Sequence, residues 1–239
     1  MRPGAELIAR IADLQPRTVV DLGSGSGELT ALLASRWPEA DVTGVDSSRE
    51  MVEKAKGSHP GVEWVVGDIE EWAPPGPVDL IFSNAALHWV DDHQKLFRGL
   101  RSHLSSQGAL AVQMPDNWRA PTHRVPADIL DEGDWPEAAR RALLRDRVCT
   151  VGDYREWLQP AEVDVWRTTY HHTLTGDDPV WAWVTGSLLR PVLAALDDDN
   201  RHRFEAECKS GYAAAYPARD GVTTLPFSRL FLVVRRSNP

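Results

Sequence analysis

The sequence predicts an α/β fold with a doubly wound parallel sheet, and three observations carry that expectation. Short apolar runs bounded by turn residues alternate with segments of helical periodicity through the first half of the chain. The first of these runs, Val19, Val20 and Leu22, leads into Gly23-Ser24-Gly25-Ser26-Gly27, and a helical pattern starts at once. Near the other end of the chain, Arg229 to Arg235 (Arg-Leu-Phe-Leu-Val-Val-Arg) is a strong closing strand.

In chain order, Pro3 to Leu14 reads as an amphipathic helix with Leu7, Ile8 and Ile11 on one face. The helix after the glycine turn carries Leu29, Leu32, Leu33 and Trp37 at helical spacing, with Glu28 in its first turn. Asp41 to Val45 is a second strand ending at Asp46, and Ser47 or Ser48 offers an N-cap for a helix through Met51, Val52 and Ala55. Val62 to Val66 is a third strand, followed by Gly67-Asp68-Ile69 and a loop containing Pro74, Pro75, Gly76 and Pro77. Val78 to Ser83 is a fourth strand. Asn84, His88 and Trp89 follow its carboxyl end, where ligands sit in an open parallel sheet. Asp91 or Asp92 caps a helix with Leu96, Phe97, Leu100 and Leu104, and Gly108 to Met114 is the fifth strand. The βα unit thus repeats four times before a final strand, the pattern of a doubly wound sheet.

Beyond Met114 the rhythm changes. Pro115-Asp116-Asn117-Trp118 reads as a loop on the ligand side, and Pro136 to Val148 as a helix with Ala139, Leu143 and Leu144 inward. Val163 to Leu174 alternates as a long strand, placing Trp166, Tyr170 and His172 on one face. Asp178-Pro179 opens a helix with Trp181, Val184 and Leu188 on one side, interrupted by Pro191. Asp197 or Asp198 starts another through Phe204, Cys208 and Tyr212. Helices inserted between the last two strands are expected to cap the cleft.

The glycine turn decides the cofactor class. A dinucleotide site spaces its glycines G-x-G-x-x-G around a pyrophosphate. Here Gly23, Gly25 and Gly27 are followed by Glu28 where the third glycine would stand, and a carboxylate there repels phosphate. Asp21 at the strand end suits a cationic ammonium group instead. Asp46, one βα unit later, stands where an acidic residue takes ribose hydroxyls; an N-cap is its plain alternative, and the preceding glycine turn favours the ribose role. Asp68 with Ile69 fits an adenine, the carboxylate accepting from the exocyclic amine and Ile69 covering the ring; alone, Gly67-Asp68 is a turn. The glycine turn with Asp21 and Glu28 resembles motif I of the class I S-adenosylmethionine-dependent methyltransferases.

Composition narrows the partners. A chain of 239 residues with 42% hydrophobic and 26% charged residues suits one α/β domain with insertions. A formal net charge of −9 argues against a general nucleic-acid binder. It permits an anionic small molecule, because a local arginine cluster overrides the global sign at short range. Cys149 and Cys208 fit no metal spacing and read as buried thiols in a reducing compartment. No apolar run approaches the ~20 residues of a membrane span, and no secretory signal is seen, so no membrane and a cytoplasmic location are expected. No metal site is expected, and the assembly state is expected to be a monomer or weak homo-oligomer.

Several runs carry a closer resemblance. Asp-Leu-Gly-Ser-Gly-Ser-Gly (21–27), Gly-Val-Asp-Ser-Ser (44–48), Ser-Asn-Ala-Ala-Leu-His-Trp (83–89) and Ala-Val-Gln-Met-Pro-Asp-Asn-Trp (111–118) resemble the trans-aconitate 2-methyltransferases. So do Val-Asp-Val-Trp-Arg-Thr-Thr-Tyr-His-His (163–172), Trp-Val-Thr-Gly (183–186) and Phe-Ser-Arg-Leu-Phe (227–231). The first two runs are shared widely among methyltransferases; the later ones are more specific. Ser26 stands where the family usually has proline. The family also usually has a longer N-terminal segment, rich in Trp and Tyr, that folds over the cofactor; Met1-Arg2-Pro3 resembles its tail.

The resemblance implies a seven-stranded, Rossmann-like class I sheet with its last strand antiparallel. It implies one domain over 1–239, with a core of about 1–114, 161–174 and 226–236 and helical cap insertions at about 115–160 and 175–225. The implied reaction moves the sulfonium methyl of S-adenosylmethionine to a carboxylate of trans-aconitate, giving a monomethyl ester and S-adenosylhomocysteine. A carboxylate is already ionised at neutral pH, so no catalytic base is expected. The implied cofactor residues are Asp21, Gly23, Gly25, Asp46, Ser47, Asp68, Ile69 and Asn84. Holding a polycarboxylate calls for cations, and the implied substrate set is His88, Trp89, Asn117, Trp118, His123, Tyr170, Arg190 and Arg229. Each arginine has a plain alternative as a solvated charge, which Arg167 fits best. His88 and Trp89 read as cleft lining, and Asn117 either donates to a carboxylate or shapes a turn. Other readings are a carboxyl methyltransferase for another small acid or an acyl-carrier-protein thioester, or a non-catalytic cofactor-binding module. Glu28 disfavours a nicotinamide oxidoreductase.

Overall fold

A computed structural model describes residues 2–143 and 148–236. Seven strands form its sheet: β1 (Thr18–Leu22), β2 (Asp41–Asp46), β3 (Glu63–Val66), β4 (Val78–Asn84), β5 (Leu104–Pro115), β6 (Glu162–Leu174) and β7 (Thr223–Arg235). Their order is β3-β2-β1-β4-β5-β7-β6. The first five pair in parallel, and β7 runs antiparallel to β5, from Ala109↔Arg235 to Pro115↔Arg229. The seven-stranded sheet with a reversed last strand is therefore as the sequence indicates. Because β1 pairs with β2 on one side and β4 on the other, winding reverses there, at the kind of switch point where sheets of this type bind ligands beyond the carboxyl ends of the strands.

Helices α1 (Arg2–Arg10), α2 (Glu28–Arg36), α3 (Arg49–Ser58) and α4 (His93–Ser102) accompany the first five strands. Ser48 caps α3, its hydroxyl accepting from Met51 N, and Asp92 caps α4, accepting from Lys95 N. One expectation needs correction. Residues 67–77 contain turns and no helix, so the βα unit completes three times, not four, before β5. Pro74, Pro75 and Pro77 lack the N–H donors that a helix there would use. The first helix is also shorter than expected, ending at Arg10, although Ile11 beyond it is buried.

The chain divides into two compact units. The first holds Met1–Pro115, Arg147–Thr168 and Arg229–Pro239; the second holds Asp116–Asp146 and Thr169–Ser228. In the first, α7 (Val151–Trp157) packs on α4, so this stretch of the expected 115–160 insertion goes with the sheet instead. Tyr154 is fully buried against Phe97, with ring centroids 4.8 Å apart. His93 Nε2 lies 3.0 Å from the Leu87 carbonyl, which only accepts, so Nε2 carries the proton and Nδ1 accepts from the Tyr154 hydroxyl at 2.7 Å. This chain of bonds ties α7 to the turn Leu87–Trp89 after β4.

The second unit has its own core. Phe204, Cys208 and Tyr212 of α10 (Asp198–Ala215) are buried, as their spacing indicates, and Asp197 caps the helix through Asn200 N. Against α10 packs α5 (Pro121–Glu132), a helix not among those expected. Pro121 occupies its first turn and Pro126 lies inside it. Pro126 cannot donate to the Thr122 carbonyl one turn back, and the Tyr212 hydroxyl donates there instead, at 3.1 Å. Ala139 and Leu143 are buried as expected, but α6 spans only Glu137–Ala142, and Leu144 lies outside the described residues.

The expected helix after Asp178 is two. α8 (Pro179–Thr185) and α9 (Arg190–Ala194) are separate, with Pro191 in the opening turn of α9, and Val180, Val184, Leu189 and Val192 are buried. Trp181 and Leu188 are only half-buried. Asp178 stands at the N-cap of α8 with Pro179 opening the helix, but its side chain makes no cap bond there; its carboxylate pairs with Lys209 at 3.0 Å.

Candidate active site

The turn after β1 is bound to the end of β2. Gly23 N and Ser24 N donate to the Val45 carbonyl at 2.8 and 3.0 Å, and Gly25 N donates to Asp46 Oδ2 at 2.8 Å. The other Asp46 oxygen accepts from Ser48 N at 2.8 Å. Asp46 thus organises both the glycine turn and the entry to α3 while Ser48 does the capping. A carboxylate offers about four lone-pair sites, so acceptor capacity remains after these two bonds.

All three glycines have positive φ, +75°, +55° and +90°, a region L side chains rarely adopt. Their surroundings differ. A side chain at Gly23 would collide with Ala86, and one at Gly27 with the Trp64 indole. At Gly25 nothing lies within 4 Å, so the turn presents bare backbone to open space there. Ile69 approaches the same turn, its Cδ1 3.6 Å from where a Gly23 Cβ would stand. Asp68 is exposed beside it, with one oxygen accepting from Glu70 N at 2.8 Å, and Ser47 is exposed next to Asp46.

Asp21 is buried beneath the turn. Thr30 Oγ1 donates to its Oδ2 at 2.6 Å. Burial drives its pKa up to about 7, opposed by the Thr30 bond and assisted by the nearby Asp46 charge. A cation brought to this place would draw Asp21 into its ionised form. Carboxylates, an open glycine and an apolar side chain fit a cofactor with an ammonium group, ribose hydroxyls and an adenine. Glu28 is held ionised by the Ser26 hydroxyl, 2.7 Å away, so a carboxylate charge stands at the head of α2 where a pyrophosphate would need none.

The ends of β4 and β5 carry a second polar group. Asn84 and Gln113 are register partners, and the N–H of Ala85, at φ +57°, donates to the Gln113 carbonyl at 2.8 Å. Gln113 is fully buried, and its Oε1 accepts from Arg229 Nη1 at 3.2 Å. Among the described residues, Asn84 Oδ1 and Gln113 Nε2 are buried with no hydrogen-bond partner. Each such group costs ~1–3 kcal/mol. Sequence reasoning missed Gln113, yet the signal was there: it is the one polar side chain in the buried run Ala109 to Met114. Nothing in the sequence pointed to the backbone strain at Ala85. His88 is buried and Trp89 is 54% exposed, their rings 4.9 Å apart.

The remaining expected substrate residues lie in the second unit. Asn117 donates to the Ser228 carbonyl at 2.9 Å and accepts from Ser228 N at 2.7 Å, which commits most of its amide to fixing the backbone. Trp118 meets His123 edge to face at 5.0 Å. Burial lowers the His123 pKa to about 4, so it is neutral at pH 7 and does not supply the positive charge expected of it. Tyr170 is buried on β6, whereas Arg190 is exposed at the start of α9; Arg167 is exposed as well. Cys208 is buried, but Cys149 is only half-buried.

Residues 19–108 match a family described as a methyltransferase domain. The chain is 42% identical to a trans-aconitate 2-methyltransferase of Klebsiella pneumoniae (strain 342), over 98% of this chain and 92% of that protein. It is 43% identical to a trans-aconitate 2-methyltransferase of Methylobacterium nodulans, over 99% and 93%. Among solved structures, the YcgJ protein from Bacillus subtilis covers all of both chains with a TM-score of 0.64 at 15% identity. The plantazolicin methyltransferase BpumL, solved with S-adenosylhomocysteine, gives a TM-score of 0.52 at 16% identity, over 98% of this chain and 82% of that one. At those identities the likeness is one of fold, the class I Rossmann-like methyltransferase fold. Identity above 40% over nearly the whole length of both chains goes further: this chain belongs to the trans-aconitate 2-methyltransferase family.

Proposed function

We propose that this protein transfers the methyl group of S-adenosylmethionine to a carboxylate of trans-aconitate, releasing the monomethyl ester and S-adenosylhomocysteine. The observation that carries this reading is the full-length relatedness to trans-aconitate 2-methyltransferases, which extends through the second half of the chain. The geometry agrees with it. Acidic groups gather at the ends of β1 and β2, and a guanidinium stands at the carboxyl end of β5.

When bound, S-adenosylmethionine supplies a methyl group on a positively charged sulfur. Asp21 attracts the cofactor's ammonium, Asp46 and Ser47 accept from its ribose hydroxyls, and Gly23 and Gly25 allow close approach. Asp68 takes the adenine amine, Ile69 covers the ring, and Asn84 closes the strand end. Arg229 holds an acceptor carboxylate, with His88 and Trp89 lining the space beside it. Asn117, Trp118, Tyr170, Arg190 and a neutral His123 complete the substrate set proposed from the sequence.

No side chain has to move a proton, since the acceptor is already ionised at pH 7. What the residues supply is alignment of oxygen, methyl and sulfur, an orientation effect that reaches ~7–11 kcal/mol of barrier. No helix among the described residues is long and apolar enough to cross a membrane. A cytoplasmic place and a small-molecule partner belong with this reading.

Transfer of labelled methyl to trans-aconitate, compared between the unaltered protein and Arg229→Met, tests it. Ester formation that falls at least 30-fold in kcat/KM on substitution, with S-adenosylhomocysteine affinity kept, is expected. Equal transfer by both proteins would remove Arg229 from the site.

A further inference from the structure

We propose that Gln113 is a positioning residue for the acceptor: its carboxamide fixes the Arg229 guanidinium at the carboxyl end of β5, beside Asn84. The inference rests on the reading of Arg229 as the group that holds the acceptor carboxylate, and it assigns a role to a residue outside the substrate set proposed above.

Three features of the first unit support it. Gln113 is fully buried between Val112 and Met114, where an apolar side chain would pack with no polar group to satisfy. A glutamine kept at such a place signals a task other than stability. Its Oε1 accepts from Arg229 Nη1 at 3.2 Å, and this bond also fixes the orientation of the amide. The reversed amide would set NH2 against a guanidinium, donor against donor. Finally, Nε2 and the Asn84 Oδ1 across the strand pair are both buried without partners, among the described residues. A donor and an acceptor left open on registered residues mark the strand ends as a place built for polar groups that the chain itself does not provide.

Arg229 has several rotatable bonds, and its charge grips a carboxylate in one geometry only while its fork is held. Gln113 holds it from the sheet side. Its loss leaves the charge in place and removes the contact that directs it from the sheet side, so the acceptor suffers and the cofactor does not.

The test is a double-mutant cycle on the full chain with Gln113→Met, nearly isosteric and without the amide, and Arg229→Met. Gln113→Met is expected to raise the calorimetric Kd of trans-aconitate for the S-adenosylhomocysteine-loaded protein about tenfold and to lower kcat/KM at least as much. S-adenosylhomocysteine affinity should stay within twofold, which also reports that the variant is folded. In the Arg229→Met background, adding Gln113→Met should change kcat/KM by less than twofold. Additive losses, or a loss of S-adenosylhomocysteine binding in Gln113→Met, would overturn the assignment. If Gln113→Met melts too low to assay, Gln113→Glu, which keeps an oxygen for Arg229 and cancels its charge, should weaken acceptor binding at least tenfold; an unchanged Kd would overturn the assignment. Failure of the unaltered, S-adenosylhomocysteine-binding protein to bind trans-aconitate would instead refute the proposed function, and this inference with it.

Discussion

The Thr30 hydroxyl donates to Asp21 Oδ2 at 2.6 Å, and both side chains are buried. Burial outweighs this bond, so Asp21 holds its proton up to about pH 7 in the folded chain, whereas its ordinary value is 3.8. Between those values the folded state binds the extra proton. The group's contribution to stability is therefore full below about pH 4 and is lost as pH rises through about 7. Asp21→Asn should abolish that dependence, so that its melting temperature gains on the unaltered protein from pH 5 to about pH 7 and levels off by pH 8. A constant difference across that range would show that Asp21 does not titrate as described.

The same carboxyl links cofactor binding to protons. An ammonium group brought near Asp21 favours its ionised form, so binding of S-adenosylhomocysteine at pH 6.5 should release a proton from the protein. Calorimetry in two buffers of different ionisation enthalpy reads that release directly. It should vanish in Asp21→Asn, along with about tenfold in affinity.

The glycines of the turn should separate fold from binding. Gly23→Ala combines a positive φ with a collision against Ala86 and should lower the melting temperature by several degrees. Gly25→Ala meets no atom within 4 Å and carries only the backbone strain of its +55° φ, roughly 1–2 kcal/mol. For a chain of this size that is roughly 2–8 °C. Its cofactor affinity should nevertheless fall at least tenfold, because the new methyl fills the open space above the turn. Titration of both variants with S-adenosylhomocysteine, alongside thermal melts, checks the contrast.

His123 should behave oppositely to Asp21. Burial holds its pKa near 4, below its ordinary 6.5. The unfolded chain takes up a proton between those values and the folded chain does not, so stability is lost as pH falls from about 6.5 toward 4. His123→Gln should flatten the acid side of the stability profile. An imidazole resonance that titrates near pH 6.5 in the folded protein would contradict its burial.

The strands were legible because a buried parallel strand needs a continuous apolar run, and Val19–Leu22, Val78–Ser83 and Gly108–Met114 each supply one. The glycine turn and its link to the next strand were legible because only glycine suits the turn and because Asp46 ends that strand. What escaped followed local rules that periodicity does not register. α5 starts at one proline and contains another, and it survives because Tyr212 satisfies the carbonyl that Pro126 leaves open. α7 begins with the reciprocal bonds of Thr150 and Asp153, a spacing that could have marked its start. The role of Asn117 depended on Ser228, 111 positions away, and no local pattern carries a pairing that distant.

The most direct measurement is the specificity of methyl transfer: kcat/KM with labelled S-adenosylmethionine for trans-aconitate, cis-aconitate, citrate and isocitrate, with the ester product identified by mass. The account predicts a monomethyl ester and a preference for trans-aconitate of at least tenfold over each of the other acids. Transfer to none of them by protein that still binds S-adenosylhomocysteine, or an equal rate with all four, would contradict it.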